Sequence, residues 1–172
     1  LEKKVAIHKE IALIIARNDN GDSVIYPACE MIFDPVYNLL DYQLSPAKLD
    51  QKQIWKAEAI ARKIVNSLQS PGLFAIELFI DKEGDVWVNE TAPRVHNSGH
   101  HTIEACITSQ YEQLLRAVLG LPLGETSITA GSVMVNIIGK AETGSNLSSQ
   151  VKSLFAISDV HVHWYGKKEK AG

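Results

Sequence analysis

Apolar positions along the chain fall into short runs set off by turn residues, and their periods assign the elements. Val5 to Arg17 is rich in Ile, Val and Ala, and Asn18-Asp19-Asn20-Gly21-Asp22 supplies an Asn-Gly hairpin signal ahead of Ser23 to Tyr26. Two antiparallel strands are expected there. Pro27, Pro35 and the residues through Asn38 read as irregular, and Leu39 to Leu44 as a further short strand. Asp50 with Gln53 three positions on has the form of a capping box, after which Ala57, Ile60, Ala61, Ile64, Val65 and Leu68 recur at helical spacing until Ser70-Pro71-Gly72 stops them.

A second hairpin follows, with strands Leu73 to Ile80 and Val86 to Thr91 around a turn from Asp81 to Asp85. Ala92 to His101 reads as irregular. Ser109 with Glu112 repeats the capping-box pattern and opens a helix whose apolar face is expected to be Tyr111, Leu114, Leu115, Val118 and Leu119, ended by Gly120 and Pro122. A strand over Gly131 to Ile138, a short helix over Ser148 to Phe155 and a last strand over Val160 to Tyr165 complete the series. Strands paired in hairpins with separated helices predict an α+β fold on a largely antiparallel sheet.

The chain's 172 residues amount to about one domain, and a composition of 45% hydrophobic and 22% charged residues excludes a disordered, collagen-like or coiled-coil protein. Lys plus Arg number 17 against 20 Asp plus Glu, a net charge of −3, so no overall basic field points to nucleic acid, although small basic sites stay open. No apolar run approaches the roughly 20 residues of a membrane helix, and Leu1-Glu2-Lys3-Lys4 lacks a signal-peptide core. A cytoplasmic protein without membrane partners is expected. Cys29 and Cys106 show no paired spacing and stand in apolar settings, which reads as buried thiols in a reducing compartment. A chain that opens at Leu1 already patterned like the middle of a domain reads as a fragment.

Glu77 lies inside Leu73-Phe74-Ala75-Ile76-Glu77-Leu78-Phe79-Ile80, where an unpaired charge is costly to desolvate. If the turn closes symmetrically, with Asp81 opposite Val86, counting back along both strands sets Glu90 directly across from Glu77. Their Cβ atoms would then be roughly 4.5–5.5 Å apart on one face. Two carboxylates so placed repel unless a cation lies between them, and one or two carboxylates together with nucleotide phosphates are the usual seat of Mg²⁺. Asn89 adds a polar group beside them. The bland alternatives are that each glutamate faces a Lys or Arg, or that an odd-numbered turn slips the register by one.

The loop Thr91-Ala92-Pro93-Arg94-Val95-His96-Asn97-Ser98-Gly99-His100-His101-Thr102 is dense in polar function. Pro93 and Gly99 keep it from being a simple helix, leaving backbone N–H groups free to face an anion. Arg94 offers a planar fork to a carboxylate, bicarbonate or phosphate, and His96 suits proton transfer near neutral pH. His96 and His100, four apart, are a rival zinc pair, but no glutamate lies between them and Gly99 opposes the helix that would align them. His8, His161 and His163 receive no role.

Asn89-Glu90-Thr91-Ala92-Pro93-Arg94-Val95-His96-Asn97-Ser98-Gly99-His100 resembles the signature of the N5-carboxyaminoimidazole ribonucleotide synthetase family, within the ATP-grasp superfamily. Glu10 through Arg17, Tyr26-Pro27, Ser45-Pro46-Ala47, Glu77-Leu78-Phe79, Ser109-Gln110-Tyr111-Glu112, Leu121-Pro122-Leu123-Gly124 and Tyr165-Gly166-Lys167 extend the likeness over nearly the whole chain. The resemblance implies an ATP-grasp C-terminal lobe over residues 1–124 and the start of the family's C-terminal segment over 125–172. It implies ATP-driven carboxylation of 5-aminoimidazole ribonucleotide by bicarbonate, through carboxyphosphate and with Mg²⁺ on the nucleotide, in purine synthesis.

Carried over by position, Glu77 and Glu90 would be metal ligands, Arg94 and His96 would hold and activate bicarbonate, and Asn89 would support the nucleotide site. Glu2, Lys3, Lys4 and Val5 would read adenine through a hinge strand, with Glu10 on the ribose hydroxyls, and Asn97, Ser98 and Lys167 would meet the ribonucleotide. A homodimer is implied by relatives. Family members are about twice as long, so these 172 residues alone are not expected to turn over. Met31 and Phe33 replace the Asn and His frequent in the family. A non-catalytic assembly domain with this fold, or an ATP-grasp ligase with another acceptor, are the competing expectations.

Overall fold

The computed structural model describes residues 4–37, 39–137 and 152–165. Its contacts divide the chain into one unit over Leu1–Asn136 and a second over Ile137–Gly172. In the first, strands β1 (Ile7–Arg17), β2 (Ser23–Ile25), β3 (Cys29–Phe33), β4 (Leu40–Ser45), β5 (Gly72–Asp81), β6 (Val86–Ala92) and β7 (Ser132–Val135) form one sheet in the order β6-β5-β1-β3-β4-β7, with β2 also on β1. Every pairing is antiparallel, and the helices α1 (Gln51–Leu68), α2 (Thr102–Ala105) and α3 (Gln110–Val118) are separate from the hairpins, so the expected α+β class holds.

Alternation along β1 and β5 splits the core in two. Ile11, Leu13 and Ile15 with Phe74, Ile76, Leu78 and Ile80 face α1, whose Ala57, Ala61 and Val65 recur at one-turn spacing and pack among them. The capping box is present as read: Asp50 accepts from Gln53 N–H while the Gln53 side chain accepts from Asp50 N–H. On the other face Ile14, Ala16, Leu73 and Ala75 join Tyr26, Ala92 and Cys106, with Leu114 of α3 against them. Toward the far end of that face Ala12, Cys29 and Met31 form a smaller apolar floor.

Several expectations are corrected. β3 runs through the segment read as irregular; its inward residues Cys29 and Met31 are neither β-branched nor aromatic, and Pro27 and Pro35 bracket it, so it lacks the usual strand signal. The loop read as irregular contains a 3₁₀ turn (Asn97–Gly99) and α2. The apolar face assigned to α3 is largely outward: Tyr111, Leu115, Val118 and Leu119 are exposed, only Leu114 packs inward, and the fully buried residues are Gln110, Gln113 and Ala117. Those two amides are buried because each pairs with backbone. Gln113 Oε1 accepts from Gly124 N–H at 2.9 Å and its Nε2 donates to Gly124 O at 3.1 Å, and Gln110 does the same for His96. In the second unit, 152–155 is helical, whereas 160–165 forms no strand, having no ladder partner among the described residues. Residues 148–151 and Ile138 lie outside the described residues.

Candidate functional site

The β5–β6 hairpin sets the first elements of the site, by a route that differs from the symmetric turn. Asp81 N–H donates to Asp85 O at 3.0 Å, Gly84 takes φ of 82°, and Ile80 rather than Asp81 lies opposite Val86. The turn is therefore odd-numbered, closed by Asp81, whose carboxylate accepts from the N–H groups of Glu83 and Asp85 and from Trp87 Nε1. Continued without interruption, that register would place Asn89 against Glu77 and send Glu90 to the α1 face. A bulge intervenes: Leu78 pairs with Val88, Glu77 pairs with Glu90, and Asn89 is the extra residue. Glu77 and Glu90 thus face each other as expected, and the bulge also brings Asn89 Nδ2 to 3.5 Å from Glu77 Oε2.

Glu10 joins them from β1. It lies two residues from Ala12, the partner of Glu77, and therefore on the same face. Burial holds its carboxyl above the usual carboxylate range. Glu77 is raised likewise, first by burial and then by the neighbouring Glu90 and Glu10, with the Asn89 amide working the other way. Among the described residues neither Glu77 nor Glu90 is paired with a lysine or arginine. Lys9, on the opposite face of β1, pairs with Glu30 at 2.7 Å.

His96 approaches from the loop after β6. Its Nδ1 caps the 3₁₀ turn by accepting from Ser98 N–H at 3.5 Å, lies 3.0 Å from Ser98 Oγ, and is 3.8 Å from Glu77 Oε1. Burial and then the Arg94 charge hold the imidazole below its ordinary value, against an opposing pull from Glu90. The Glu77 contact is an ion pair only with the imidazole protonated, a state that its burial and the Arg94 charge disfavour. Because Nδ1 accepts, Nε2 carries the proton and is the donor His96 can present. Arg94 is exposed, its Nη1 donating to Val95 O at 3.1 Å.

Other expected residues fare differently. Ser98, expected at the ribonucleotide, is completely buried, with its hydroxyl 3.0 Å from His96 Nδ1. Asn97 is exposed at the start of the 3₁₀ turn. Lys4 and Val5 precede β1, which begins at Ile7, so the hinge strand is not formed at those two positions. Glu2, Lys3 and Lys167 lie outside the described residues. His100 does not share a ligand position with His96, since its Nδ1 faces Gln110 Nε2 at 3.1 Å and Tyr111 Oη at 3.3 Å.

Beneath the loop is a polar cluster that the sequence reading passed over. The Ser98 carbonyl is met by Cys29 Sγ at 3.3 Å, Gln43 Nε2 at 3.2 Å and His101 Nδ1 at 3.1 Å. Burial pushes the Cys29 thiol up to about 12 and the His101 imidazole down to about 4, so both stay neutral and structural. Gln43 and Gln110 are completely buried. Their signal in the sequence is weak, because a glutamine becomes informative only when its backbone partner is known.

The donor set suits a hard divalent ion. Two carboxylates on one face, neither paired with a lysine or arginine among the described residues, are what Mg²⁺ uses when phosphates supply its remaining ligands. Among the described residues no group of three His, Cys, Asp or Glu side chains forms a metal cage by itself.

Comparisons with known proteins place the chain among named relatives. Residues 1–111 match the ATP-grasp domain family, and residues 132–172 match the phosphoribosylaminoimidazole carboxylase C-terminal domain family. A chloroplastic phosphoribosylaminoimidazole carboxylase of Vigna aconitifolia is 44% identical over 172 residues, covering 98% of this chain and 30% of that protein. An N5-carboxyaminoimidazole ribonucleotide synthase of Bacillus subtilis is 40% identical over 139 residues, covering 81% of the chain and 36% of the relative. The crystal structure of N5-carboxyaminoimidazole synthase from Aspergillus clavatus with ADP and 5-aminoimidazole ribonucleotide superposes with a TM-score of 0.88 at 31% identity, over 99% of this chain and 45% of that one. The chain thus spans less than half the length of each of these relatives. With residues 1–111 matched to its domain model, the chain belongs to the ATP-grasp family, and its relatives there are N5-carboxyaminoimidazole ribonucleotide synthases and phosphoribosylaminoimidazole carboxylases.

Proposed function

We propose that the full-length protein containing this chain is a carbon–nitrogen ligase that uses ATP to carboxylate 5-aminoimidazole ribonucleotide with bicarbonate. The observation that carries the reading is the bulged hairpin that turns Glu77, Asn89 and Glu90 to one face and runs directly into the Arg94–His96 loop. Glu77 and Glu90 would hold Mg²⁺, which with nucleotide bound would neutralise phosphate charge during phosphoryl transfer. A bicarbonate oxygen takes the γ-phosphoryl group and ADP leaves. The resulting carboxyphosphate passes its carboxyl carbon to the exocyclic amine and releases phosphate.

In that sequence Arg94 offers two parallel N–H donors to the carboxylate end, and His96 offers its Nε2–H as a neutral donor. Its depressed basicity keeps it from adding a second full positive charge there. In this reading Glu10 meets the ribose hydroxyls, while Glu2, Lys3, Lys4 and Val5 serve the adenine and Asn97 and Lys167 the ribonucleotide. The buried, unpaired thiols Cys29 and Cys106 suit the reducing cytoplasm, and among the described residues no helix is long and apolar enough to cross a membrane.

The test is ADP release by the full-length protein, which should require both bicarbonate and 5-aminoimidazole ribonucleotide. Glu77→Gln and Glu90→Gln should each lower it by on the order of a hundredfold and abolish Mg²⁺-dependent ADP binding in calorimetry. Turnover indifferent to the ribonucleotide, or variants with unchanged nucleotide binding, would overturn the assignment.

A further inference from the structure

Gln110 is completely buried at the first turn of α3, yet its carboxamide does nothing for the helix. Its Oε1 accepts from His96 N–H at 3.0 Å and its Nε2 donates to His96 O at 2.9 Å, so one side-chain amide pairs with both backbone groups of a single residue, as a strand neighbour would. The second Nε2 hydrogen is directed to His100 Nδ1 at 3.1 Å. The backbone N–H of Gln110 donates to Thr102 Oγ1 at 2.8 Å, and that hydroxyl donates to Gly99 O at 2.6 Å. Gly99 completes the arrangement: a Cβ built there would collide with Gln110 Oε1, so the absence of a side chain at 99 is what lets the carboxamide lie against the loop.

We infer that Gln110 is a positioning residue for the reaction, fixing the His96 backbone so that the imidazole is held between Ser98 and Glu77. The inference rests on the proposed role of His96 and deepens it. A loop between β6 and α2 has no ladder of its own; without the clamp, the part-buried His96 N–H loses its partner, His96 O keeps only the bond from Gly99 N–H at 3.0 Å, and the ring loses its aim. A displacement of about 1 Å at a group that must meet a small anion is enough to cost on the order of a hundredfold in rate.

The experiment uses the full-length protein with Gln110→Glu, which keeps size and acceptor but removes the donor to His96 O, and Gly99→Ala, which attacks the same contact from the other side. Both should lower kcat for ribonucleotide-dependent turnover tenfold or more, leave KM for Mg²⁺·ATP within twofold, and displace the His96 imidazole ¹⁵N–¹³C cross-peaks at fixed pH. Any other combination, such as kcat within twofold of the parent protein or lost activity with the His96 signals in place, overturns the inference. Should both variants fail to fold, hydrogen exchange in the parent protein decides: the His96 amide must be protected relative to Asn97, and an unprotected amide overturns the clamp. These spectroscopic readouts remain valid if the parent protein carboxylates nothing, an outcome that would remove the proposed function without touching the clamp.

Discussion

Helices α1 and α3 cover opposite faces of one sheet, and they bury different chemistry. Helix α1 presents Ala57, Ala61 and Val65 to a purely apolar set of strand residues, while α3 presents Gln110, Gln113 and Ala117 and leaves Leu115, Val118 and Leu119 outside. The first helix is held by area removed from water, which is insensitive to detail. The second is held in part by carboxamides that each bond both the N–H and the C=O of one residue of an adjoining loop, an interaction that fixes those loops in place. The face that must hold a site steady is the one that uses directional bonds.

The comparison breaks first at the apolar face. Ile76 is fully buried against α1 and its neighbour Glu77 faces the other way. Ile76→Ala should cost about 2–5 kcal/mol in denaturant unfolding, from lost transfer energy and the cavity left behind. Glu77→Gln, one residue along, should leave stability equal or slightly higher, because it removes a carboxylate already disfavoured by burial and by Glu90 and Glu10. A large loss for Glu77→Gln would mean that the two faces do not divide fold from function.

Next is acid. His101 lies 5% exposed in the cluster under the loop, with its imidazole pushed down to about 4. The unfolded chain takes up this proton near the ordinary value of about 6.5 and the folded chain does not, so folding stability is full above that pH and is lost as pH falls from about 6.5 toward 4. The loss attributable to His101 is up to about 3 kcal/mol. His101→Asn should flatten the stability profile across that window; a profile unchanged by the substitution would place the acid sensitivity elsewhere.

How much of this was legible beforehand follows the same division. Alternation and one-turn spacing gave the β1–β2 and β5–β6 hairpins and α1 with its Asp50 cap, because apolar burial leaves a periodic trace in the residues themselves. The Glu77–Glu90 pairing was found with the wrong turn: the odd turn shifts the register one way and the Asn89 bulge shifts it back. Nothing in the local sequence announces that bulge. β3 went unseen because Cys29 and Met31 are unremarkable strand formers between prolines, and the buried face of α3 was misread because leucines outrank glutamines on any hydrophobic scale. Hydrogen bonds to a distant backbone are the part of a fold that periodicity does not encode.

That misreading supplies the smallest and most discriminating test. Leu115 is 57% exposed, and Leu115→Ala should change the stability of the chain by no more than about 0.5 kcal/mol. Gln113 is fully buried, two residues earlier on the same helix, and Gln113→Leu fits a residue of similar size into the space. Yet it strips Gly124 N–H and Gly124 O of their partners at 2.9 and 3.1 Å in a place closed to water, and should cost about 2 kcal/mol. Hydrophobicity alone forecasts the reverse order, with the leucine loss harmful and the leucine gain helpful. Urea titrations of the two variants side by side therefore decide whether α3 is held by its amides. If Leu115→Ala proves the more damaging, the exposed apolar residues of α3 are covered in the folded protein and the contrast between the helices dissolves.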